Sequence, residues 1–588
     1  MIFFNSCNKP CTYRISLAAA GKRLVVFLIV LSGCTSSNRI SVTPVHTDSL
    51  SYAIIKKQEV TNGSVASAHT LASQIGVEMM KRGGNAVDAA IATKLALAVV
   101  YPEAGNLGGG GFLVARLANG KNITIDFREK APEKATRDMY LDTAGNVIEN
   151  LSTEGHLAAG VPGSVAGIFA SMKYARLPFK TLIQPAIDLA EKGFVLTSRE
   201  ARNLNGPREN FLKNNTIVPA FVKSEAWKEG DTLIQKELAE TLKRIRDQGM
   251  DGFYKGETAR LIVEEMARGK GLISLKDLAA YEAVEREPVL FSYRGYEILT
   301  MGLPSSGGIL LPQMMKMISQ YPVADYGFAN WQSVQLMTEI ERRAYADRAK
   351  FLGDIDFYKV PVKKLTSDEY AKMRMMDYDP SKAGTSIEVG PGIISESEET
   401  THLSTCDREG NAVSLTTTLN GGYGSYTVVG GAGFLLNNEM DDFSSKPGVP
   451  NMYGAVGAEA NAIVPGKRML SSMTPTIVLK NKKPYIVVGT PGGTTITTSV
   501  FQTLVNLLEF GLSPEDAVNK PKFHHQWLPD NIQVERDFPA ETRKKLESVG
   551  YRIVDRNSIG RVELIVIDDS GKMTAIADKR GEDSAAGY

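Results

Sequence analysis

Apolar residues recur every three or four positions in several parts of the chain, a spacing that predicts amphipathic helices. One such segment, residues 71–82, ends at Gly83-Gly84, where glycine supplies the left-handed conformation that terminates helices. Asn85 is placed to cap a second, alanine-rich helix that runs to about residue 99. Four further helices are predicted at 180–192, 232–248, 258–268 and 331–349, the last with its charges on one side.

Two runs of β-branched residues on either side of the polar cluster 407–411 predict a β-hairpin that begins close to Thr400. Residues 392–399, just before it, are rich in Gly, Ser and Glu and offer little apolar surface to bury. We therefore expect an exposed loop that runs directly into a buried strand. Such a junction is accessible to cleavage, although Thr400 by itself is equally an ordinary strand residue.

The glycine run 105–111 resembles a phosphate-binding loop but has neither the Lys-Ser/Thr of a P-loop nor the spacing of a dinucleotide site. It also leads into the strand pattern 112–115 and not into a helix. The glycines therefore predict close packing of this backbone against other strands.

The N-terminus has the pattern of an export signal. Lys22 and Arg23 precede the apolar run 24–31, which is too short to span a bilayer. The run ends at Leu-Ser-Gly-Cys34, which resembles the lipobox of bacterial lipoproteins, although an ordinary signal with a coincidental Cys is the alternative. We thus expect a signal peptide over 1–33, a lipidated Cys34 and a polar linker over 34–62. Since Thr35 follows Cys34, and not Asp, the expected location is the outer membrane facing the periplasm.

Composition narrows the function classes. A chain of 588 residues exceeds the usual size of one core, so we expect two lobes or one merged domain. A net charge of +1 without a long basic run argues against nucleic acid and favours a small-molecule partner. Apart from the lipidated Cys34, only Cys406 remains beyond the proposed signal, which excludes an intrachain disulfide framework. The adjacent pair His524-His525 would point to opposite faces of a strand, so no metal or other cofactor is predicted.

Several polar motifs each have a functional and a structural interpretation. Arg128 ends an alternating segment that would place it on the same face as Asp126, where it binds a carboxylate or forms a surface ion pair. The acidic segment 437–443 is a binding loop or a solvated one. The pair Ser305-Ser306 is expected to cap a following helix. The pair Gly492-Gly493 follows a strand and either presents N–H groups to an oxyanion or forms a tight turn.

Several of these motifs, in this order, closely resemble the γ-glutamyltransferase (γ-glutamyltranspeptidase, glutathione hydrolase) family. The resemblance covers the chain from about residue 60 to the C-terminus. The motifs are GGNAVDAA at 83–90, GNLGGGGF at 105–112, DFRE at 126–129, TTH at 400–402, GFLLNNEMDDF at 433–443, RMLSSM at 468–473, GTPGG at 489–493 and FHHQW at 523–527.

The resemblance implies an N-terminal nucleophile hydrolase fold, a four-layer αββα sandwich that large and small subunits form jointly. It places a self-cleavage between Glu399 and Thr400, which gives a large subunit over 63–399 and a small subunit over 400–588. The two subunits would remain together as a heterodimer. Some bacterial relatives carry Gln where this chain has Glu399 and Glu439.

The resemblance also implies site roles. Thr400 is the expected nucleophile toward γ-glutamyl compounds such as glutathione, with its hydroxyl oriented by Thr418, and its acyl group passes to water, amino acids or peptides. The remaining roles fall into three sets. The oxyanion hole is expected from Gly492 and Gly493, the α-carboxylate site from Arg128, Ser471 and Ser472, and the α-ammonium site from Asn420, Glu439 and Asp442.

Two alternatives remain open at the level of sequence. A related acylase that acts on β-lactam side chains would keep the fold, although such a substrate need not carry the free α-ammonium that Asp442 is expected to bind. A non-catalytic, ligand-binding lipoprotein would keep the anchor and remain uncleaved.

Overall fold

Two large antiparallel sheets form the centre of the computed structural model, which describes residues 47–389, 400–452 and 457–588. All of these residues belong to one compact unit, which corresponds to the second of the two expected arrangements, two lobes or one merged domain. The predicted signal peptide, Cys34 and Glu399 lie outside the described residues.

The strands of the described residues fall into two large and two small sheets. In chain order they are β1 (Lys57–Val60), β2 (Gly63–Ser67), β3 (Gly110–Arg116), β4 (Asn122–Asp126), β5 (Phe194–Val195), β6 (Thr232–Leu233), β7 (Val284–Arg286), β8 (Val289–Tyr293), β9 (Tyr296–Thr300), β10 (Thr401–Asp407), β11 (Ala412–Thr418), β12 (Thr476–Lys480), β13 (Lys483–Gly489), β14 (Phe523–His524), β15 (Ile532–Glu535), β16 (Ile553–Arg556), β17 (Glu563–Ile567), β18 (Met573–Ala577) and β19 (Ser584–Gly587).

The helices mostly lie in two groups, one group packed on each large sheet. In chain order they are α1 (Thr70–Lys81), α2 (Ala86–Val100), α3 (Ser164–Ser171), α4 (Phe179–Lys192), α5 (Ser198–Asn205), α6 (Arg208–Asn214), α7 (Lys236–Gln248), α8 (Asp251–Tyr254), α9 (Gly256–Gly269), α10 (Leu275–Ala279), α11 (Gly307–Ile318), α12 (Val323–Tyr326), α13 (Trp331–Phe351), α14 (Val362–Leu365), α15 (Asp368–Arg374), α16 (Ser386–Val389), α17 (Thr495–Leu508), α18 (Pro514–Asn519) and α19 (Ala540–Ser548).

Strand β3 illustrates how the layers are built. Its side chains alternate between faces, as they do in any strand. Phe112 and Val114 belong to the apolar cluster between the two sheets, together with Ile477 of β12. Leu113 and Ala115 belong to the cluster that includes helices α1, α2 and α4 on the outer face. A matching cluster packs α11, α13 and α17 on the other sheet. The predicted αββα sandwich is thus confirmed.

Segments from before and after Thr400 interleave in both large sheets. One sheet has the order β1-β18-β17-β13-β12-β9-β8 and the other β19-β2-β10-β11-β3-β4-β7, with every pair antiparallel. Strands that follow Thr400 supply adjacent strands of each sheet, while earlier strands flank them. Neither part of the chain can complete either sheet alone, because edge strands left without their partners expose unpaired N–H and C=O groups.

Most helices predicted from apolar spacing are present within one or two residues of their expected ends. Asn85 caps α2 as predicted, and its partner in the capping box is Asp88. Helix α7 is an exception at its start, because Thr232 belongs to the short strand β6 and the helix begins at Lys236. The boundary differs because a two-residue strand has no periodicity to detect.

The predicted polar linker 34–62 is wrong at its C-terminal end. Residues Lys57–Val60 form the edge strand β1, which pairs with β18, so Lys57 lies opposite Ile576 and Val60 opposite Met573. A short, half-exposed edge strand keeps polar residues, which is why its sequence looks like a linker.

The glycine run packs closely against other backbone, as predicted. A Cβ on Gly109 would lie 2.0 Å from the carbonyl oxygen of Thr418, and one on Gly108 would lie 2.1 Å from that of Leu435. Contacts this short are available only to glycine. In the described part of the chain, no helix combines the length and apolarity needed to cross a membrane.

Replacement of Gly109 by Ala tests this close approach. We expect Gly109→Ala to lower the free energy of unfolding by about 1–3 kcal/mol, because the added methyl displaces the β11 backbone. Chemical denaturation of the purified protein measures the change. Gly302→Ala is the matched control, since the nearest atom to its added Cβ is 3.4 Å away. Equal stability of the two variants would contradict the packing role.

Candidate active site

Thr400 lies immediately before β10, at the open end of the predicted hairpin. Register pairs Thr401 with Thr417 and Leu403 with Leu415, so the hairpin prediction is confirmed. The Thr400 hydroxyl oxygen lies 3.3 Å from that of Thr418, the last residue of β11. Thr400 is 5% exposed, so its side chain is buried but borders the cavity described below.

The turn after β11 holds Thr418 in place. The Asn420 backbone N–H donates to the Thr418 hydroxyl oxygen at 2.7 Å. Asn420 adopts a left-handed conformation with φ of 74°, which asparagine tolerates better than most residues. Its side-chain amide donates to the Asn438 carbonyl at 3.1 Å, which ties this turn to the acidic segment that follows.

Arg128 lies beyond the end of β4 and is fully buried, so the alternative of a surface ion pair is wrong. Its guanidinium binds the carboxylates of Glu439 and Asp442 through different nitrogens and lies 3.5 Å from that of Glu129. The strand β4 ends at Asp126, so the alternating segment does not reach Arg128. Asp126 accepts the Arg128 backbone N–H and forms its ion pairs with Arg286 and Arg468.

One guanidinium therefore faces the buried carboxylates of Glu129 and Glu439 and the partly buried carboxylate of Asp442. Burial raises the pKa of Glu439 well above its ordinary value and raises the pKa of Glu129 to about 7, even though Arg128 acts in the opposite direction. Burial also raises the pKa of Asp442. In the described part of the chain, Glu439 Oε2 and Glu129 Oε1 have no hydrogen-bond donor. Buried oxygens of this kind are costly unless a ligand satisfies them.

The hydroxyls of Ser471 and Ser472 border the same cavity. Ser471 Oγ accepts the backbone N–H of Met473 at 3.2 Å, and Ser472 Oγ accepts from Arg348 Nη2 at 3.2 Å. No described residue accepts the proton of either hydroxyl. Both protons are thus available to an anionic ligand.

The Gly492-Gly493 turn connects β13 to helix α17. Both glycines have positive φ, 133° and 55°, and the carbonyl of Gly492 accepts the backbone N–H of Thr495 at 2.9 Å. Gly493 borders the cavity, next to the N-terminal end of α17. The positive end of the helix dipole favours negative charge at this position.

Nine of the ten residues predicted for catalysis and substrate binding line one cavity. The tenth, Gly492, directly precedes Gly493, which does line it. The cavity is lined by Arg128, Arg348, Thr400, Thr418, Asn420, Glu439, Asp442, Asn451, Ser471, Ser472, Met473, Gly493, Thr494 and Ile496.

Sequence reasoning missed Arg348 and misassigned the residues around it. Helix α13 was expected to be amphipathic, with its charges on one side, yet its charged residues from Glu339 to Arg348 are buried. These charged positions are distributed around several sides of the helix. A helix with one solvent-facing side would carry its charges on that side alone, so the distribution was the available signal that some of them are buried. The expected caps of α11 are also wrong, because the hydroxyls of Ser305 and Ser306 donate to the Met473 and Ser471 carbonyls.

None of the histidines within the described residues lines this cavity. His402 is buried between the Thr416 and Ser404 hydroxyls, and burial lowers its pKa to about 3. Across residues 47–389, 400–452 and 457–588, no cluster of His, Cys, Asp and Glu has the arrangement of a metal site.

Comparisons with known proteins agree with this geometry. The family model for gamma-glutamyltranspeptidase matches residues 72–588. The glutathione hydrolase proenzyme of Escherichia coli strain K12 is 44% identical over 573 residues, covering 96% of this chain and 99% of that relative.

Solved structures show the same relationship. Helicobacter pylori gamma-glutamyltranspeptidase is 46% identical, with a TM-score of 0.54 over 55% of this chain and 94% of that one. A cephalosporin acylase from Bacillus halodurans has a TM-score of 0.79 at 26% identity, covering 91% of this chain and 97% of its own. Because the family model spans most of the chain and the Escherichia coli relative is 44% identical over nearly its whole length, the chain belongs to the γ-glutamyltranspeptidase family.

Proposed function

We propose that the protein is a self-processing enzyme that cleaves the γ-glutamyl bond of glutathione and related compounds, with Thr400 as its nucleophile. The γ-glutamyl group then passes to water, an amino acid or a peptide. The observation that carries the proposal is the meeting of Thr400, Arg128 and the carboxylates of Glu439 and Asp442 in one cavity. The name of the Escherichia coli relative supports glutathione as a donor.

Cleavage between Glu399 and Thr400 would create the reactive group. A freed N-terminal threonine carries a hydroxyl and an α-amine with a pKa of about 8, so the amine can take the hydroxyl proton at working pH. The hydroxyl oxygen then attacks the γ-carbonyl carbon, the amide nitrogen leaves as an amine after it is protonated, and an ester to Thr400 remains. Attack by water or by an amine releases the γ-glutamyl group.

The interleaved sheets support a lasting heterodimer after this cut. The segment 400–588 supplies adjacent strands in both sheets, and strands of 63–399 lie beside them. Separation of the two parts would expose the apolar cluster between the sheets, including Phe112 and Ile477.

Thr418, Gly492 and Gly493 are assigned to the acyl-transfer step. Thr418 lies 3.3 Å from the Thr400 hydroxyl and would orient it, since its own oxygen is held by the Asn420 N–H. The backbone N–H groups of Gly492 and Gly493 would stabilise the oxyanion of the tetrahedral intermediate. Loss of one such donor typically costs about 3–4 kcal/mol of transition-state stabilisation.

The residues that form the ion pairs would also recognise the substrate. The α-carbon of a γ-glutamyl group carries both a carboxylate and an ammonium. Its carboxylate would bind Arg128 and the protons of Ser471 and Ser472, while its ammonium would bind Asn420, Glu439 and Asp442. Because the incoming zwitterion brings one charge of each sign, it replaces internal pairs without leaving a buried charge unpaired.

The alternative of a β-lactam side-chain acylase draws on the similarity to the cephalosporin acylase fold. A side chain without an ammonium would leave Glu439 Oε2 without a donor in a buried site. The charge arrangement therefore favours a γ-glutamyl donor. The alternative of a non-catalytic lipoprotein does not account for the contact between the Thr400 and Thr418 hydroxyls.

For localisation we propose a periplasm-facing, outer-membrane lipoprotein anchored through Cys34. The support is the lipobox-like sequence that ends the apolar run 24–31. One Cys that carries several acyl chains anchors firmly, since each buried CH₂ contributes about 0.8 kcal/mol.

Replacement of Thr400 by Ala removes the proposed nucleophile. We expect Thr400→Ala to remain a single precursor band on a denaturing gel and to release no 4-nitroaniline from γ-glutamyl-4-nitroanilide. Thr400→Ser keeps a hydroxyl and is expected to be cleaved and active at a reduced rate. A cleaved and active Thr400→Ala variant would falsify the assignment.

Replacement of Arg128 by Lys tests the carboxylate site. A lysine keeps the charge but loses the planar fork, so we expect KM for γ-glutamyl-4-nitroanilide to rise roughly tenfold to a hundredfold. Steady-state kinetics on the processed protein measures it, with Arg260→Lys on the exposed face of α9 as the matched control. Unchanged KM would remove Arg128 from substrate binding, and equal rates on the α-linked isomer would rule out γ-glutamyl specificity.

Replacement of Cys34 by Ser tests the anchor. We expect Cys34→Ser to abolish incorporation of labelled palmitate and to move the protein from the membrane to the soluble fraction. Cys11 lies before the proposed signal-peptide cleavage, so the control Cys11→Ser should leave both the labelling and the membrane fraction unchanged. Palmitate labelling that persists in Cys34→Ser would disprove this attachment point.

A further inference from the structure

Arg348 brings a second guanidinium to the cavity, from a helix that no sequence motif of the site includes. It lies near the end of α13 and is 7% exposed. Its Nη2 donates to the Ser472 hydroxyl oxygen at 3.2 Å, and its Nε donates to the Ser306 hydroxyl oxygen at 3.3 Å. Two adjacent donors of one planar group thus hold two different serines.

The first contact fixes the direction of the Ser472 proton. A guanidinium has only donors, so Ser472 Oγ must act as the acceptor. A hydroxyl has a single proton, and no described residue accepts the proton of Ser472. The proton is therefore left for a ligand in the cavity that Ser472 lines. An anion is the ligand that uses such a donor best.

The second contact supports the neighbouring serine. Ser306 Oγ accepts from Arg348, so its own proton goes to the Ser471 carbonyl at 2.8 Å. The Ser306 backbone N–H donates to the same carbonyl at 2.7 Å, and the Ser471 N–H donates to the Pro304 carbonyl at 2.8 Å. Arg348 is thereby linked to the backbone of Ser471 and to the side chain of Ser472.

We propose that Arg348 is a positioning residue that orients the Ser472 hydroxyl as a donor to the α-carboxylate of the substrate. Through this contact it sets the preference for γ-glutamyl donors that carry a free α-carboxylate. The inference rests on the proposed function, because it takes the carboxylate site as given. It assigns to α13 a part in specificity that is separate from the nucleophile and from the oxyanion turn.

A pair of substrates that differ only at the α-carboxylate isolates this role. In 4-aminobutyryl-4-nitroanilide a hydrogen replaces the carboxylate of γ-glutamyl-4-nitroanilide. The ratio of kcat/KM for the two anilides measures the value of the carboxylate, and the fraction of correctly folded enzyme cancels from it. A purely structural role of Arg348 would lower both rates and leave the ratio unchanged.

We expect the ratio to fall roughly tenfold to a hundredfold in Arg348→Met, the usual effect of losing one hydrogen bond to a charged group. Ser472→Ala should lower it by a similar factor. Adding Arg348→Met to Ser472→Ala should change the ratio by less than about twofold, because residues that act through each other are not additive. Lys350→Met removes an exposed charge from the same helix and should leave the ratio at its wild-type value.

Arg348→Lys provides the same test if Arg348→Met does not fold, since an ammonium lacks the planar fork that spans both hydroxyls. An unchanged ratio in either variant overturns the proposal, while the proposed function stands. Additive losses in the double variant also overturn it, since Arg348 would then bind the carboxylate itself. If the wild-type enzyme shows no preference between the anilides, the proposed carboxylate recognition fails instead.

Discussion

The ion pairs between Arg128 and the carboxylates of Glu439 and Asp442 are the interaction around which the site is organised. They join the end of β4 to a segment that lies on the other side of Thr400 in sequence. Burying this many charges is expensive unless each has a partner. These charges also border a cavity, where the proposed zwitterionic substrate would exchange partners with them. In the proposed function, the charges that pair with one another would therefore also select the substrate.

The fold makes this arrangement rigid. Thr400 lies at the start of the β10–β11 hairpin, and this hairpin lies in its sheet between β2 and β3, two strands from the earlier part of the chain. The glycine run lets its own backbone pack closely against the end of β11, where Gly109 lies directly against the Thr418 carbonyl. The proposed nucleophile is thus supported by strands from both parts of the chain, and the pairing of these strands does not depend on the peptide bond before Thr400.

The surroundings of the proposed carboxylate site show how segments far apart in sequence contribute to one part of the cavity. Ser471 and Ser472 each accept a hydrogen bond from the protein and keep a proton for a ligand. The donors that set this direction come from the Met473 backbone and from Arg348 on α13. A hydroxyl whose oxygen accepts from the protein and whose proton has no protein acceptor is left to donate to a ligand. Ligand specificity at these serines therefore depends on all of the groups around each hydroxyl.

The sequence by itself determined the hairpin, the caps of α2, the close packing of the glycine run and, through its ordered motifs, the αββα fold and nine of the residues that line the cavity. These follow from local periodicity, from turn chemistry and from motifs that remain contiguous in the chain. Only the tertiary structure decided that β1 is a strand, that α13 buries its charges and that Arg348 reaches Ser472 and Ser306. Those features depend on partners hundreds of residues away in some cases, and no local pattern records the distance between two side chains.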